Sequence, residues 1–440
     1  MSILIILIIC FLSIIWGRLL FARWFNPVLV YTAPWSLMLF LYEINLLAYP
    51  PLTTETWFVV SLAYFSYCSG IMVYFVARKS LDKSFVAFEF YGQNRPGLIK
   101  QEERIFKYAI YVIGIIGLLT AIQHWMVLIK MFGSIPAVLI NANVVYKLRL
   151  EGEIKGTIPY LATFNYIAVF FSAVYSGYKR KITFASFFPF IGLILNDISQ
   201  VGRAGIYIAF LEFFTTYIII NYLFYKEREL KKSRHNKFGF IIIILVIIGS
   251  LSLIRSIRAP VENFAQTPTK FKEIQNSGII TPSVYIYFSS HVGILSKYLE
   301  IGKEEEKTTF GSNSLLTFYS IFSKMGLMNR PSDYQQGYYI PMWTNTGTYL
   351  REIHADFGPA AIFIIPFLLG LGVTYFWFRF FKEKRFLHLI FLIHFFVIIE
   401  FSYFAMQTRM TVWAIKLVIL LLLSPLIEKS LARAGGKIAN

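Results

Sequence analysis

The run IIIILVII at Ile241–Ile248 and the run VILLLL at Val418–Leu423 decide the fold class of this chain. Neither run alternates apolar with polar residues, so neither matches a membrane β-strand, whose side chains face lipid and lumen in turn. Because lipid offers the backbone no hydrogen-bonding partner, only helices and closed barrels cross a membrane. The two runs therefore predict helices that lie in a bilayer.

Similar apolar stretches of about 20 residues, enough helix to cross a hydrocarbon layer of about 30 Å, recur along the whole sequence. Eleven spans are predicted, at residues 3–20, 28–48, 56–77, 106–128, 158–177, 182–198, 205–225, 238–254, 357–378, 386–406 and 410–427. The 440 residues are 57% hydrophobic and 15% charged, against about 25% charged in soluble domains. A water-soluble enzyme is excluded. The sequence predicts an all-α polytopic membrane protein, with one transmembrane domain over residues 1–440.

The formal charge of +18 is unevenly distributed between the two sets of loops. Nearly all of the excess Lys and Arg falls on one set of alternating loops, which includes the loop before the fourth span. Short basic loops are retained on the cytoplasmic side. This pattern predicts an N-terminus outside and a C-terminus in the cytoplasm, and it leaves no reason to expect a nucleic-acid partner.

The predicted outer face carries one large extracytoplasmic loop, residues 255–356, and a smaller one, residues 129–157. Loops of this length are usually functional or disordered, and the abundance of Tyr and Phe in the larger one argues against disorder. Its stretch Ser283–Leu299 is apolar but short for a span. We interpret that stretch as a helix that lies on, or dips into, the outer interface.

Five arginines lie in the predicted outer loops and turns, where charged groups at a membrane edge are costly. They are Arg149, Arg203, Arg255, Arg258 and Arg409. A guanidinium stays charged and binds phosphate with a planar fork, so arginines brought together at headgroup level would suit a diphosphate. The alternative for each is an interfacial anchor, with the aliphatic stem in lipid and the charge in water.

The densest polar motif is TNTGTYLREIHADFG, residues 344–358. Glu352, His354 and Asp356 could each accept a proton from a sugar hydroxyl as a general base. An alternative for Asp356, which we favour, is a cap on the ninth predicted span, because a side-chain oxygen there accepts unpaired backbone N–H groups. The sequence contains no DxD pair, nucleotide-binding glycine loop or HExxH motif, and its two cysteines have no zinc spacing. No metal or cofactor is predicted.

Four features of the sequence occur together in a known family. They are Gly202-Arg203-Ala204 opening an apolar helix, Arg255 and Arg258 after the eighth span, the long outer loop, and Thr348-Tyr349 through Asp356-Phe357-Gly358. In these features the chain resembles the Wzy-type oligosaccharide repeat unit polymerases. Members of that family make O-antigen, enterobacterial common antigen and capsular chains. The resemblance covers most of the chain in topology and two short motifs in sequence. It implies a bacterial inner-membrane protein with a GT-C-like helical fold and an active site facing the periplasm or exterior.

The resemblance further implies that a growing chain, linked to polyprenyl diphosphate, is transferred onto the next lipid-linked repeat unit without metal or nucleotide. Arg203 and Arg255 or Arg258 would hold the diphosphate, and Arg409 and Arg149 match the family pattern less closely. Tyr349, an aromatic of the second motif, is predicted to contact the substrate. Membrane lipid is the other expected partner, and association with a chain-length regulator stays open.

Two alternative functions remain. An O-antigen ligase would transfer finished glycan to a lipid A core, and a lipid-linked oligosaccharide flippase or secondary transporter would move its substrate across the membrane. Transporters commonly place polar sites near the bilayer midplane. In this sequence only Glu43, Glu212, Glu400 and Lys416 lie deep in predicted spans, so the polymerase is the favoured hypothesis.

Overall fold

In the part of the chain that it describes, a computed structural model shows an all-α fold with one short hairpin. The structure describes residues 2–81, 100–151, 160–200, 204–223, 282–303, 309–329, 335–340 and 343–436, together with residues 153, 154, 156, 158, 202 and 331. Among the described residues, seven helices are long and apolar enough to cross a membrane. The predicted fold class is therefore confirmed as a helical membrane protein. The predicted span 238–254 lies outside the described residues.

The described helices are numbered in chain order. They are α1 (Ser2–Phe21), α2 (Pro27–Ile44), α3 (Thr54–Leu81), α4 (Lys100–Phe132), α5 (Ile135–Ile140), α6 (Ala142–Glu151), α7 (Thr163–Lys179), α8 (Phe184–Ser199), α9 (Ala204–Tyr222), α10 (Pro282–Ser289), α11 (His291–Lys297), α12 (Leu316–Lys324), α13 (Tyr349–Phe357), α14 (Ala361–Glu383), α15 (Phe386–Phe401) and α16 (Thr411–Gly436). A π-helical turn, Tyr298–Gly302, follows α11, and a 3-10 turn, Gln407–Arg409, precedes α16.

The hairpin is formed by β1 (Tyr338–Tyr339) and β2 (Trp343–Thr344), which pair antiparallel with Tyr338 opposite Thr344. The seven helices that could span a membrane are α1, α2, α3, α4, α9, α14 and α16, while α8 and α15 are shorter apolar helices. Every predicted span within the described residues overlaps a helix, although α14 begins at Ala361 rather than at residue 357 and α15 ends at Phe401 rather than at residue 406.

The chain divides into two compact units. Unit 1 comprises residues 1–89, 264–384 and 394–411, and unit 2 comprises residues 90–263, 385–393 and 412–440. In unit 1, helices α3 and α14 pack closely through two glycines. A Cβ atom added at Gly70 would lie 2.1 Å from the Phe367 carbonyl oxygen, and one at Gly370 would lie 2.1 Å from the Tyr67 carbonyl oxygen. Small residues allow two helix backbones to approach in this way, as is common between membrane helices.

In unit 2, helices α4, α7 and α8 pack around Asn165, which is fully buried on α7. Its amide nitrogen donates to the Gly117 carbonyl oxygen at 3.2 Å. A Cβ atom at Gly117 or at Gly192 would lie 2.1 Å or 2.4 Å from the Asn165 amide oxygen. The two glycines therefore leave the space that a polar side chain occupies between three helices.

Two helices are followed directly by a basic residue whose backbone is in the left-handed region. Arg180 follows α7 and Lys384 follows α14, each with φ of 53°. The backbone N–H of Lys384 donates to the Phe380 carbonyl oxygen at 2.7 Å. Both residues satisfy a helix end in a conformation that usually favours glycine.

The prediction of one continuous helix over Ser283–Leu299 is wrong. The segment is split into α10, α11 and the start of the π-helical turn. It also packs against α2 and α3 within unit 1, where Val292, Ile294 and Leu295 have no exposed surface. An apolar run that is too short to span a bilayer suits a buried helix as well as an interfacial one, and here the apolar residues lie in the core.

Candidate functional site

Helix α13 carries most of the polar motif that the sequence analysis identified. It begins after Thr348, whose backbone is extended, and ends at Gly358, whose φ of 77° is accessible to glycine at little cost. The backbone N–H of Gly358 donates to the His354 carbonyl oxygen at 2.8 Å. Glu352 and Asp356 are one helical turn apart and both are buried, so the two carboxylates need partners within the protein.

Glu352 is paired with Arg409, which comes from the 3-10 turn before α16. Arg409 donates through Nη1 to Glu352 Oε1, and the backbone N–H of Met406 donates to Glu352 Oε2. Burial raises the pKa of the Glu352 carboxyl above its ordinary value, and the positive charge of Arg409 opposes that rise. The structure thus brings together two residues, predicted separately as site residues, that are 57 positions apart in the sequence.

Asp356 does not cap the helix that follows it, so the favoured interpretation from sequence is wrong. The residue preceding α14 is Ala360, whereas the Asp356 carboxylate binds a turn earlier in the chain. Its Oδ1 accepts from Thr309 Oγ1 at 2.5 Å and from the backbone and side-chain nitrogens of Asn313, each at 3.0 Å. Its Oδ2 accepts from the backbone N–H and the hydroxyl of Ser314, each at 2.6 Å. The carboxylate therefore anchors the turn that leads into α12.

His354 differs from the two carboxylates because part of its side chain reaches the surface. Its Nδ1 lies 2.9 Å from the hydroxyl of Tyr298 in the π-helical turn. Burial lowers the pKa of His354 below its ordinary value of 6.5, while Glu55 opposes the shift and Lys303 adds to it. Among the described residues, Nε2 makes no hydrogen bond. Of the three predicted proton acceptors, His354 is the one whose side chain is only partly buried and whose pKa is lowered.

Arg351 was missed by the sequence analysis, although it stands within the same motif. It has no exposed surface. Its guanidinium carbon lies 5.4 Å from the ring centroid of Tyr298 and 5.1 Å from that of Tyr338 in β1, within cation–π range. A Cβ atom at Gly347 would lie 2.8 Å from Arg351 Cδ. The charge of Arg351 thus lies against the ring whose hydroxyl contacts His354.

Tyr349, predicted to contact the substrate, is part of the core of unit 1. It has no exposed surface, and its hydroxyl lies 3.0 Å from that of Tyr31. Its backbone N–H donates to the Ser402 carbonyl oxygen at 3.0 Å. A fully buried phenol presents no surface to a substrate, so packing accounts for this tyrosine in the structure.

Arg149 lies in unit 2, where it contacts the turn between α8 and α9. Its Nη1 donates to the Gln200 carbonyl oxygen at 2.6 Å, and its guanidinium lies over the Tyr146 ring at 5.0 Å. Asp197 braces the same turn, since its carboxylate accepts from the Ile206 N–H at 2.8 Å at the start of α9. Arg149 therefore binds the turn at Gln200, which is three residues before Arg203 in the sequence.

Three of the predicted arginines, Arg203, Arg255 and Arg258, lie outside the described residues. Among the residues that the structure does describe, no group of three or more His, Cys, Asp or Glu side chains could hold a metal ion. Comparison with protein-family models, curated proteins and solved structures gives no match. The function must therefore be argued from the chemistry of the residues.

Two of the four deep charged residues form a pair within unit 2. Lys416 Nζ on α16 donates to Glu212 Oε2 on α9 at 2.7 Å, and both side chains are buried. The other Glu212 oxygen, Oε1, has no hydrogen bond among the described residues. An intramembrane charge needs such a partner, so the pair ties two candidate spans together. Buried His124 has a similar packing role, with Nδ1 2.9 Å from Ser199 Oγ.

Proposed function

We propose that the chain is a polymerase of polyprenyl-diphosphate-linked oligosaccharide repeat units, acting at the extracytoplasmic face of the bacterial inner membrane. The observation that carries the proposal is the environment of His354. A partly buried histidine with a lowered pKa, one of whose ring nitrogens lies 2.9 Å from the Tyr298 hydroxyl, is suited to accept a proton. It lies on a helix that also carries Glu352, whose partner Arg409 comes from a short turn between two apolar helices.

In the proposed reaction, the acceptor sugar hydroxyl gives its proton to His354 Nε2 while its oxygen bonds to the anomeric carbon of the donor sugar. The bond between that carbon and the diphosphate oxygen breaks, and polyprenyl diphosphate leaves with the electron pair. For Nε2 to accept the proton, Nδ1 must carry its own hydrogen and donate it to Tyr298 Oη. The 2.9 Å between Nδ1 and Oη fits a hydrogen bond with either atom as the donor, so the distance is compatible with this tautomer.

The developing charge on the diphosphate requires fixed cations. Arg409 suits this role because its side chain is bound by Glu352, which is itself held by the Met406 backbone N–H, and because the Arg409 side chain keeps 15% of its surface exposed. Arg351 is fully buried, so we assign it a positioning role beneath Tyr298. Arg203, Arg255 and Arg258 remain predicted diphosphate ligands on the resemblance to the Wzy-type polymerases, and Arg149 on its contact with the Arg203 turn.

The test is extension of a purified polyprenyl-diphosphate-linked repeat unit by the detergent-solubilised protein, without an ion gradient. We expect a ladder of longer lipid-linked chains, and we expect its loss in His354→Gln. Glu300→Gln is the matched control, because Glu300 is an exposed residue of the π-helical turn that carries Tyr298. Transfer only to a lipid A core acceptor would instead identify a ligase. Absence of any transfer, together with uptake of labelled lipid-linked repeats by vesicles, would identify a transporter.

A further inference from the structure

The segment around α12 has an inverted distribution of apolar and polar side chains. Six large apolar residues of this segment are between 42% and 75% exposed: Phe310, Phe318, Ile321, Phe322, Met325 and Leu327. Four of them fall at positions 318, 321, 322 and 325, which is the spacing of a single stripe along a helix. A helix on the surface of a water-soluble protein turns such a stripe inward.

The inward face of the same segment carries several polar residues beside Leu316, which is buried as well. Ser314, Thr317 and Ser320 are buried. Ser314 donates two hydrogen bonds to Asp356, and Thr317 Oγ1 lies 3.4 Å from Thr411 Oγ1. These contacts fix which side of α12 faces the protein, so the apolar stripe faces outward as a consequence of specific hydrogen bonds.

The same contacts fix the depth of α12 relative to the candidate spans. Thr411 is the first residue of α16, and Asp356 lies just before the start of α14. Thr408 Oγ1 also donates to the Ser314 carbonyl oxygen at 2.6 Å. The helix is therefore attached to the segment Thr408–Thr411 and, through Asp356, beside the start of the candidate membrane span α14.

We propose that α12 is embedded in the lipid leaflet on the side where α14 begins, with its apolar stripe among the acyl chains. The first turns of α14 also expose apolar side chains, because Phe363, Ile364 and Leu368 are about half exposed. Residues 309–329 contain no Asp or Glu, and Lys324 is their one formal charge, which suits contact with anionic headgroups. Bilayer lipid is thus the occupant that both the apolar stripe and the charge favour.

This placement is independent of the proposed enzymatic function. It assigns membrane contact to α12, whereas the sequence analysis assigned it to Ser283–Leu299. It also sets the Asp356 carboxylate and the turn that it anchors at headgroup depth, since that carboxylate binds the residues directly before α12. An interfacial helix of this kind would keep the motif of α13 close to lipid-linked molecules.

The test uses single cysteines in a variant in which Cys10 and Cys68, the two native cysteines, are replaced by Ser. Cysteines at Phe318, Ile321 and Met325 are labelled with an environment-sensitive fluorophore, and the protein is placed in phosphatidylethanolamine–phosphatidylglycerol vesicles. The matched control is a label at Glu300, which is exposed in the same unit. Lipids with an acyl-chain nitroxide should quench the three α12 labels several-fold more strongly than the control, and iodide should quench them less.

Equal quenching of the α12 and control labels by both reagents would overturn the proposal. So would protection of the α12 labels from both quenchers together with cross-links between two chains, because a second copy would then cover the stripe. The unmodified protein provides a second measurement in case the labelled variants do not fold. A photoactivatable acyl-chain lipid should leave adducts on the peptide 309–329, and adducts on α14 without any on that peptide would refute the insertion.

Discussion

Replacement of Asp356 separates a structural role from a catalytic one, because the structure gives its carboxylate five hydrogen-bond donors. In Asp356→Asn, the amide oxygen can keep the three donors that meet Oδ1. The new NH₂ group then faces the backbone N–H of Ser314, while the Ser314 hydroxyl can rotate to accept. The backbone N–H of Ser314 then has no acceptor and faces another donor inside the protein, which should cost about 2 kcal/mol.

Asp356→Ala removes all five bonds and leaves the two backbone N–H groups of Asn313 and Ser314 without their acceptor. We expect a loss of about 4 kcal/mol, near the upper end for a single substitution. Thr309→Val removes one of the five donors and should cost about 1 kcal/mol. The three variants therefore form a graded series, from about 1 kcal/mol for Thr309→Val through about 2 kcal/mol for Asp356→Asn to about 4 kcal/mol for Asp356→Ala.

The assay is thermal unfolding of the purified protein in detergent, followed by intrinsic fluorescence. A loss of about 2 kcal/mol corresponds to a fall in Tm of roughly 4–8 °C in a unit of this size. If Asp356 only anchors the turn, Asp356→Asn should keep measurable chain extension at a temperature where it is folded. An Asp356→Ala variant that has the same Tm as the parent protein but no activity would refute this reasoning. The Asp356 carboxylate would then take part in the reaction itself.

Three further predictions concern other parts of the molecule. Because burial lowers the pKa of His354 below 6.5, the ring takes up its proton at a lower pH than a free histidine does. The acid limb of kcat/KM should therefore lie below pH 6.5, and a limb above that pH would contradict the assignment. Lys416→Met should lower the free energy of unfolding by about 3–5 kcal/mol, because it leaves the buried Glu212 carboxylate without its partner. Adding Glu212→Gln should restore most of that stability. If the double variant has as low a Tm as Lys416→Met, the loss of the ion pair is not the cause. Gly370→Ala should cost about 1–3 kcal/mol, because the added Cβ would meet the Tyr67 carbonyl oxygen, and an unchanged Tm would show that α3 and α14 separate freely.

The sequence predicted the long apolar helices of the described residues, but not the shorter helices of the predicted loops, and it predicted only part of the candidate site. Apolar length predicted the spans because each helix satisfies its own backbone, and this property is local. The pairing of Arg409 with Glu352, and of Arg351 with Tyr298, joins segments more than 50 residues apart in sequence. No local pattern encodes such contacts, so the individual residues could be nominated whereas their partners could not.

The sequence also could not predict whether an amphipathic helix turns its apolar face toward the protein or toward lipid. The stripe at Phe318, Ile321, Phe322 and Met325 indicates a helix, but the spacing does not say whether the stripe faces protein or lipid. Ser283–Leu299 poses the same question with the opposite answer, since it lies in the core. Asp356 likewise precedes a helix as a cap would, yet its partners come from the turn before α12.

The basic residues that end α7 and α14 have a consequence for how the chain can be changed. A left-handed backbone costs a non-glycine residue about 1 kcal/mol, so glycine at Arg180 or Lys384 would strengthen the folded helix end. It would also delete a positive charge that the nascent chain presents when its topology is chosen. Selection for thermostability alone would therefore drift toward variants that tolerate heat better and insert into the membrane less faithfully.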